Sequence, residues 1–426
     1  MSKKVALNTL GCKMNQYESD SLASDFINAG YEIVSFDEEA DVYVINTCTV
    51  TNKSDRKSRN SINKARKSNN SVVVVTGCYV DSAKHKLENE TGITFLIENQ
   101  KKNQIFQLVD AYFNGEILHD NNQDVFDFHT TDKGLRTRAT IKIQDGCDSF
   151  CSYCIIPYVR GAGVSRPLND ILDSIRSHLE NGFKEIVLTG INMSCYNHNG
   201  VDFKDLIGHI LNIDGDWRLR ISSLEPDMMD ENIVDLFSHP RMTPHLHLCL
   251  QSGSETILKD MKRTYSFTQY SNIVKKIRER IPHFNITTDL IVGFPGETEE
   301  LFQESIDACK QIGFGHIHTF KYSKREGTQA AKFTNQIDEK LKNQRSEVVR
   351  ILSEQLKFDY RKSLIGTKQR VLIEKSSNNK YSGFGDYYVP VKFNGLNLNK
   401  NDFVDVLITG IEKGEDPFLI GEVIEG

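Results

Sequence analysis

Cys147, Cys151 and Cys154 stand in a CxxxCxxC loop, Gly146-Cys147-Asp148-Ser149-Phe150-Cys151-Ser152-Tyr153-Cys154. Three thiolates in one short loop can hold three irons of a cubane iron–sulfur cluster, which normally takes four protein ligands, and reactive metal sites keep such a position open. A structural zinc site short of one ligand, or free thiols in a turn, are the plainer readings. Neither explains why the loop follows the first strand of an alternating strand–helix run, at the end where barrel enzymes place their chemistry.

Cys12, Cys48 and Cys78 are far apart in sequence but share a context. Each closes a predicted strand, in Leu10-Gly11-Cys12, Asn46-Thr47-Cys48 and Thr76-Gly77-Cys78. Ligands of a parallel sheet gather beyond the carboxyl ends of its strands, so these thiols can converge on a second cluster. The alternative is three unrelated strand-end cysteines. Cys195, Cys249 and Cys309 read as small buried hydrophobes. A cytoplasmic, reducing setting is expected, and an odd cysteine total argues further against a disulfide framework.

Downstream of the cysteine loop, polar and glycine-rich breaks end four successive predicted strands. They carry Gly190 and Asn192, Ser223 and Glu225, Gln251, and Asp289 and Gly293, any of which could meet a ligand. Glycine lets backbone approach a ligand, and carboxylates or amides can hold ribose hydroxyls and an amino group.

The elements that must position these groups read as an α/β chain in three parts. Over 1–125, short apolar strands (Val5–Leu10, Glu32–Ser35, Val42–Asn46, Val72–Thr76) alternate with helices such as Met14–Ala29, implying a helix-covered parallel sheet. A polar linker is expected over 121–132. Over 133–362, six strand candidates (Thr140–Ile143, Ile186–Thr189, Leu219–Ser222, His245–Leu250, Asn285–Val292 and His316–Tyr322) alternate with helices, too few for an eight-stranded barrel. A partial (β/α)6 barrel fits, followed by a long helix near Asp338–Lys362. Over 364–426 the pattern becomes a small all-β barrel.

The chain has 426 residues and a net charge of −6, so any nucleic-acid contact must rest on local patches. Lys53, Arg56, Lys57, Lys64 and Lys67 recur at helical spacing directly after Cys48 and could meet phosphates, or could be a solvated helix face. Lys259, Lys262 and Arg263 form a second candidate patch. Tyr381, Phe384, Tyr387 and Tyr388 could stack on bases, although strand aromatics are commonly core. No stretch approaches the roughly 18 apolar residues of a membrane span, and Met1–Asn8 lacks a signal peptide's apolar core.

The CxxxCxxC spacing resembles that of the radical S-adenosylmethionine superfamily. Together with the N-terminal trio, the chain resembles the methylthiotransferases. Asn8–Ser19, Ile45–Thr51 and Gly146–Gly161 look like that family's signatures, and the last 60 or so residues resemble its TRAM RNA-binding domain. Thr47–Arg59, Leu219–Pro226 and Tyr322–Thr328 are similar to the branch acting on N6-threonylcarbamoyladenosine in tRNA. The resemblance implies two [4Fe-4S] clusters and two molecules of S-adenosylmethionine per turnover, with Gly190, Asn192, Ser223, Glu225, Gln251, Asp289 and Gly293 as cofactor-binding residues. It also implies an anticodon stem-loop substrate, a reductant such as flavodoxin or ferredoxin, and a sulfur donor. Isopentenyladenosine in tRNA, or a ribosomal-protein aspartate, is the alternative substrate. A non-enzymatic iron–sulfur RNA-binding sensor is the alternative of another class, and the four strand-end motifs count against it.

Overall fold

The computed structural model describes residues 2–68, 70–117, 124–128, 136–412, 414 and 416–424. Its N-terminal part is a five-stranded parallel sheet of β1 (Lys4–Thr9), β2 (Glu32–Val34), β3 (Val42–Thr47), β4 (Val72–Gly77) and β5 (Phe95–Ile97), in the order β2-β1-β3-β4-β5. Helices α1 (Lys13–Asn28), α2 (Asn52–Ala65), α3 (Cys78–Leu87) and α4 (Ile105–Asn114) cover it. Strands β3 and β4 are buried at every position, which is why they read as unbroken apolar runs such as Val72-Val73-Val74-Val75. The two faces carry separate cores, one around Leu22, Phe26 and Val44, the other around Ile45, Ile62 and Val75.

The central part begins with β6 (Ala139–Lys142), then β7 (Gln144–Asp145), α5 (Ile156–Arg160) and β8 (Val164–Ser165), where β7 and β8 pair as a ribbon that closes the cysteine loop. It continues through α6 (Leu168–Glu180), β9 (Glu185–Thr189), the small hairpin β10 (Asn197–His198) and β11 (Val201–Asp202), α7 (Phe203–Leu211) and β12 (Arg218–Ile221). The second half holds α8 (Glu231–Leu236), β13 (His245–His247), α9 (Glu255–Asp260), α10 (Phe267–Arg280), β14 (Asn285–Val292), α11 (Glu299–Ile312) and β15 (His316–Lys321). Two three-stranded parallel sheets, β6-β9-β12 and β13-β14-β15, meet through the bridges Leu219–Met242 and Leu224–Leu248. The six strands thus form one incomplete barrel around the largest core. The first expected strand of the second half, His245–Leu250, is shorter than its pattern. After His247 the chain kinks, and Gln251 adopts a left-handed φ of 64°.

A long helix, α12 (Glu339–Ser363), leads to a closed barrel of β16 (Lys368–Ser377), β17 (Lys380–Phe384), β18 (Pro390–Asn394), β19 (Phe403–Ile411) and β20 (Leu419–Val423). Strand β17, Lys-Tyr-Ser-Gly-Phe, lacks an apolar run and is legible only from its pairing with β16 and β18. This small barrel plugs the amino-terminal ends of the central strands. Arg218, first residue of β12, donates to the carbonyls of Arg370 and Phe384 at 3.0 Å each, and Asn285, first residue of β14, donates to the Tyr387 carbonyl at 2.8 Å. The expected linker lies mostly outside the described residues. Within it Phe126 is buried, and Lys142 Nζ donates to the Val125 carbonyl at 2.9 Å.

Candidate active site between two cysteine trios

Strand order explains how the scattered cysteines meet. Cys12, Cys48 and Cys78 follow β1, β3 and β4, the three adjacent strands at the centre of the sheet, so all three lie at one carboxyl edge. Gly11 permits the close approach. Its φ is 102°, and a Cβ there would stand 2.8 Å from Cys48 Cβ and 2.9 Å from its sulfur. Asn15 on α1 donates to the carbonyls of Leu10 (2.7 Å) and Thr47 (3.0 Å), joining the Cys12 and Cys48 loops. Burial pushes the Cys48 and Cys78 thiols up.

The second trio is fixed by Gln144. Its Oε1 accepts from the backbone N–H of Ile191 (3.0 Å) and Asn192 (2.7 Å), while Nε2 donates to the Gly146 carbonyl (2.8 Å), tying the cysteine loop to the turn after β9. Around the sulfurs stand donors: Asn192 Nδ2 at 3.8 Å and Ser149 N at 3.5 Å from Cys147, and Arg263 Nη1 at 3.2 Å from Cys151. Asn99 Nδ2 lies 3.6 Å from Cys78 in the other trio. Such donors tune the charge that a sulfur-ligated cluster can carry. Burial pushes the Cys154 thiol up to about 12. Loading either site must therefore expel protons.

Both trios open on one cavity of about 1190 Å³. A single zinc ion with sulfurs at about 2.3 Å would bring them within roughly 3.8 Å of one another. Among the described residues, the one group of three ligand atoms within 4.8 Å is instead His247, Cys249 and Asp289. Six thiols facing one chamber, in trios wider than a mononuclear site, fit two iron–sulfur clusters and not two zinc ions.

Gly190, Asn192, Ser223, Glu225, Gln251 and Asp289 all line this cavity. Gly293 does not. It forms a left-handed turn (φ 70°) under Lys342, and its N–H donates to Glu297 Oε2 at 2.6 Å, so it shapes the backbone behind the site. Of the basic helix face, Lys53 reaches the cavity rim, Arg56, Lys57 and Lys67 are exposed, and Lys64 pairs with Asp37. Arg263 turns inward, paired with Glu225, and so leaves the expected patch with Lys259 and Lys262. The tyrosines expected to stack on bases are engaged elsewhere. Tyr381 is buried against Phe393, Tyr387 packs beside His283, and Phe384 and Tyr388 stack on each other with Arg138 and Arg220 over Tyr388. Cys249 and Cys309 are buried as expected; Cys195 is exposed, in a turn ahead of the β10–β11 hairpin.

Three features were not legible in the sequence. A buried ionic network joins the first two parts: Arg160 Nη1 lies 3.1 Å from Glu18 Oε1 and 2.9 Å from Asp145 Oδ1, and Lys102 and Lys142 complete it at 2.5 Å from Glu18 and 2.6 Å from Asp145. Arg325, after β15, donates to Asn52, Thr49 and Asp55 beside Cys48. Lys13, next to Cys12, projects into the central barrel. It is exposed to the cavity, and the protein crowded around it, then Arg220 and Arg138, push its ammonium down to about 7.

Comparison with known proteins places this geometry. Residues 4–98 match a family described as uncharacterized protein family UPF0004, and residues 141–309 match the radical SAM superfamily. The chain is 36% identical to the threonylcarbamoyladenosine tRNA methylthiotransferase MtaB of Bacillus subtilis, over 97% of this chain and 96% of that one. It belongs to the radical S-adenosylmethionine methylthiotransferases. MtaB of Aquifex aeolicus is 37% identical, over 87% of this chain and 92% of its own, and a tRNA-2-methylthio-N(6)-dimethylallyladenosine synthase of Fusobacterium nucleatum is 34% identical over 95% and 97%. Among solved structures, the radical S-adenosylmethionine methyltransferase TsrM of Kitasatospora setae shares the fold with a TM-score of 0.54 at 16% identity, covering 75% of this chain and 73% of that one. Methylthiotransferases of this family use two [4Fe-4S] clusters and S-adenosylmethionine, a demand that the two trios can meet. No helix among the described residues is long and apolar enough to cross a membrane.

Proposed function

We propose that this protein converts N6-threonylcarbamoyladenosine next to the anticodon of a tRNA into its 2-methylthio derivative, in the cytoplasm. The opening of both cysteine trios on a single cavity carries the reading. Cys147, Cys151 and Cys154 would hold one cluster and Cys12, Cys48 and Cys78 the other, each with an iron left for a non-protein ligand. When bound, these groups supply a 5′-deoxyadenosyl radical from S-adenosylmethionine and a methylthio group, chemistry suited to carbon 2 of adenine, which acid–base groups cannot deprotonate.

The chain's own residues position and enclose. Asn192, Ser223, Glu225, Gln251 and Asp289, which line the cavity, would face the cofactor's polar parts, and Arg263 neutralises Glu225 beside Cys151. The ionic network around Arg160 and the contacts of Arg325 hold the two trios at a fixed separation, so a flipped base meets both at once. Lys53 at the rim, with Arg56, Lys57 and Lys67 beyond it, offers phosphate contacts to an anticodon stem. A TRAM-like barrel that plugs the central strands supports the core as well as any RNA contact on its outer faces. A flavodoxin- or ferredoxin-class reductant would supply electrons.

A second reading, isopentenyladenosine as substrate, is favoured by the Fusobacterium relative, whose identity is nearly as high. Nucleoside mass spectrometry on tRNA from cells with and without the gene separates the two. Loss of the 2-methylthio form with threonylcarbamoyladenosine accumulating is expected. Loss of the 2-methylthio form of isopentenyladenosine would move the substrate, and unchanged nucleosides would contradict both.

A further inference from the structure

The radical chemistry leaves Lys13, His247 and His318 on the cavity wall without a task. Lys13 starts α1 of the N-terminal part but reaches into the central barrel, where it lines the cavity with His247, Asp289 and His318. The rings of His247 and His318 are 5.6 Å apart. His247 Nε2 lies 3.2 Å from Asp289 Oδ1, and its Nδ1 lies 3.1 Å from Thr287 Oγ1, so the carboxylate and the hydroxyl both engage this ring.

No described carboxylate lies within ion-pairing distance of Lys13. Its charged neighbours are Arg220 and Arg138, offset by Glu185 and Asp289, so the Lys13 charge itself is left over. Arg220, buried beneath, keeps one guanidinium nitrogen, Nη1, without a hydrogen-bond partner. Lys13 is open to the chamber, so an anion that enters meets a cation with no described counter-ion, in a protein-lined site that strengthens the pair. An apolar occupant would instead strip water from Lys13, His247, His318 and Asp289 and give nothing back.

We propose that Lys13, with His247 and His318 beside it, forms an anion subsite that takes the carboxylate of the substrate's N6 substituent, making Lys13 a specificity-determining residue. The subsite rests on the reading of threonylcarbamoyladenosine as substrate, and extends it by naming what distinguishes that base from a prenylated one. The substituent's hydroxyl and urea groups would find partners in the two imidazoles. Sites built to hydrogen-bond a polar group reject analogues lacking it far more strongly than apolar pockets do.

The test is a binding comparison on the anaerobically reconstituted holoenzyme. Three anticodon stem-loop RNAs are used, identical except at one adenosine: N6-threonylcarbamoyl, its carboxyl methyl ester, or N6-isopentenyl. The wild type is expected to bind the free acid about tenfold or more tighter than the ester. Lys13→Met should erase that ratio and Lys13→Arg should keep most of it. Because the ratio is internal to each variant, a general loss of affinity cancels, and Lys13→Gln carries the same comparison should Lys13→Met bind neither RNA. A Lys13→Met enzyme that still prefers acid over ester would overturn the subsite. A wild type that binds the threonylcarbamoyl and isopentenyl RNAs alike would overturn the substrate reading itself, and the subsite with it.

Discussion

Arg325 Nη2 lies 2.7 Å from Thr49 Oγ1 and 2.8 Å from Asp55 Oδ2, with Nη1 2.8 Å from Asn52 Oδ1. One guanidinium thus clamps the loop and helix start that follow Cys48 onto the end of the central barrel. Ser323 adds a second tie, accepting from the Asn52 N–H at 3.0 Å.

Removing that fork should uncouple the two halves of the reaction. Breaking a buried pair costs about 3–5 kcal/mol, and the Cys48 loop would lose its register against the barrel. With Arg325→Ala we expect methylthiolated product per 5′-deoxyadenosine formed to fall about tenfold or more, measured by mass spectrometry on both products. Arg325→Lys should rescue little, since one ammonium cannot hold three acceptors in a plane. An unchanged ratio in Arg325→Ala would show that the clamp is only structural decoration.

The ionic network between the sheet and the barrel is expected to behave likewise in stability. Glu18 and Asp145 are both buried among Arg160, Lys102 and Lys142. Burial disfavours the Glu18 charge, but Arg160, then Lys102 and Lys142, outweigh it and hold its carboxyl at about 2. Glu18→Gln would leave three cations facing one carboxylate and should lower the apo-protein's stability by about 3–5 kcal/mol in chemical denaturation. A loss below about 1 kcal/mol would mean that water, and not Glu18, compensates these charges.

The difference between what was legible and what was not lies in range. Alternating strands and helices, and cysteines at strand ends, are local patterns, so the sheet, the partial barrel and the six thiols could be read from neighbouring residues. The Arg160–Glu18 and Arg325–Thr49 contacts join residues distant in sequence, and an arginine near a turn reads locally as solvated. Lys13 was hidden for the same reason: beside Cys12 it looks like a surface lysine, and only the docking of the sheet on the barrel sets it on the wall of the shared cavity. Tyr388 and Phe384 misled in the opposite sense. Aromatics in a small barrel suggest base stacking, yet here they are clamped by Arg138 and Arg220 at the floor of the larger one.

Gly11 offers a test confined to the N-terminal trio. An alanine there would need a left-handed backbone and would press its Cβ against Cys48. Gly11→Ala should lower bound iron from about eight to about four per chain while leaving the CxxxCxxC loop loaded. Full iron content in this variant would contradict the convergence of Cys12 and Cys48 on one cluster.

Two histidines that open β13 and β15 give the apo-protein a pH dependence. Burial, then His318 and Lys357, push His316 down to about 4, and burial and Arg220 drive His245 well below its ordinary value. Below about pH 6.5 the unfolded chain takes up protons that the folded imidazoles refuse, so stability should fall as pH drops from 6.5 toward 4. Denaturation midpoints at pH 7.5 and pH 5 test this, and His316→Gln should flatten part of the slope. Equal midpoints would show that the imidazoles protonate in place.

The central claim is that one chamber joins two cysteine trios with separate tasks, and Cys48→Ala tests it most directly. The variant is reconstituted anaerobically and given S-adenosylmethionine, a reductant and the threonylcarbamoyladenosine stem-loop, and 5′-deoxyadenosine and the methylthiolated nucleoside are both quantified. Continued 5′-deoxyadenosine formation with no methylthio product is the expected result. A Cys48→Ala enzyme that still makes the methylthio product would contradict it.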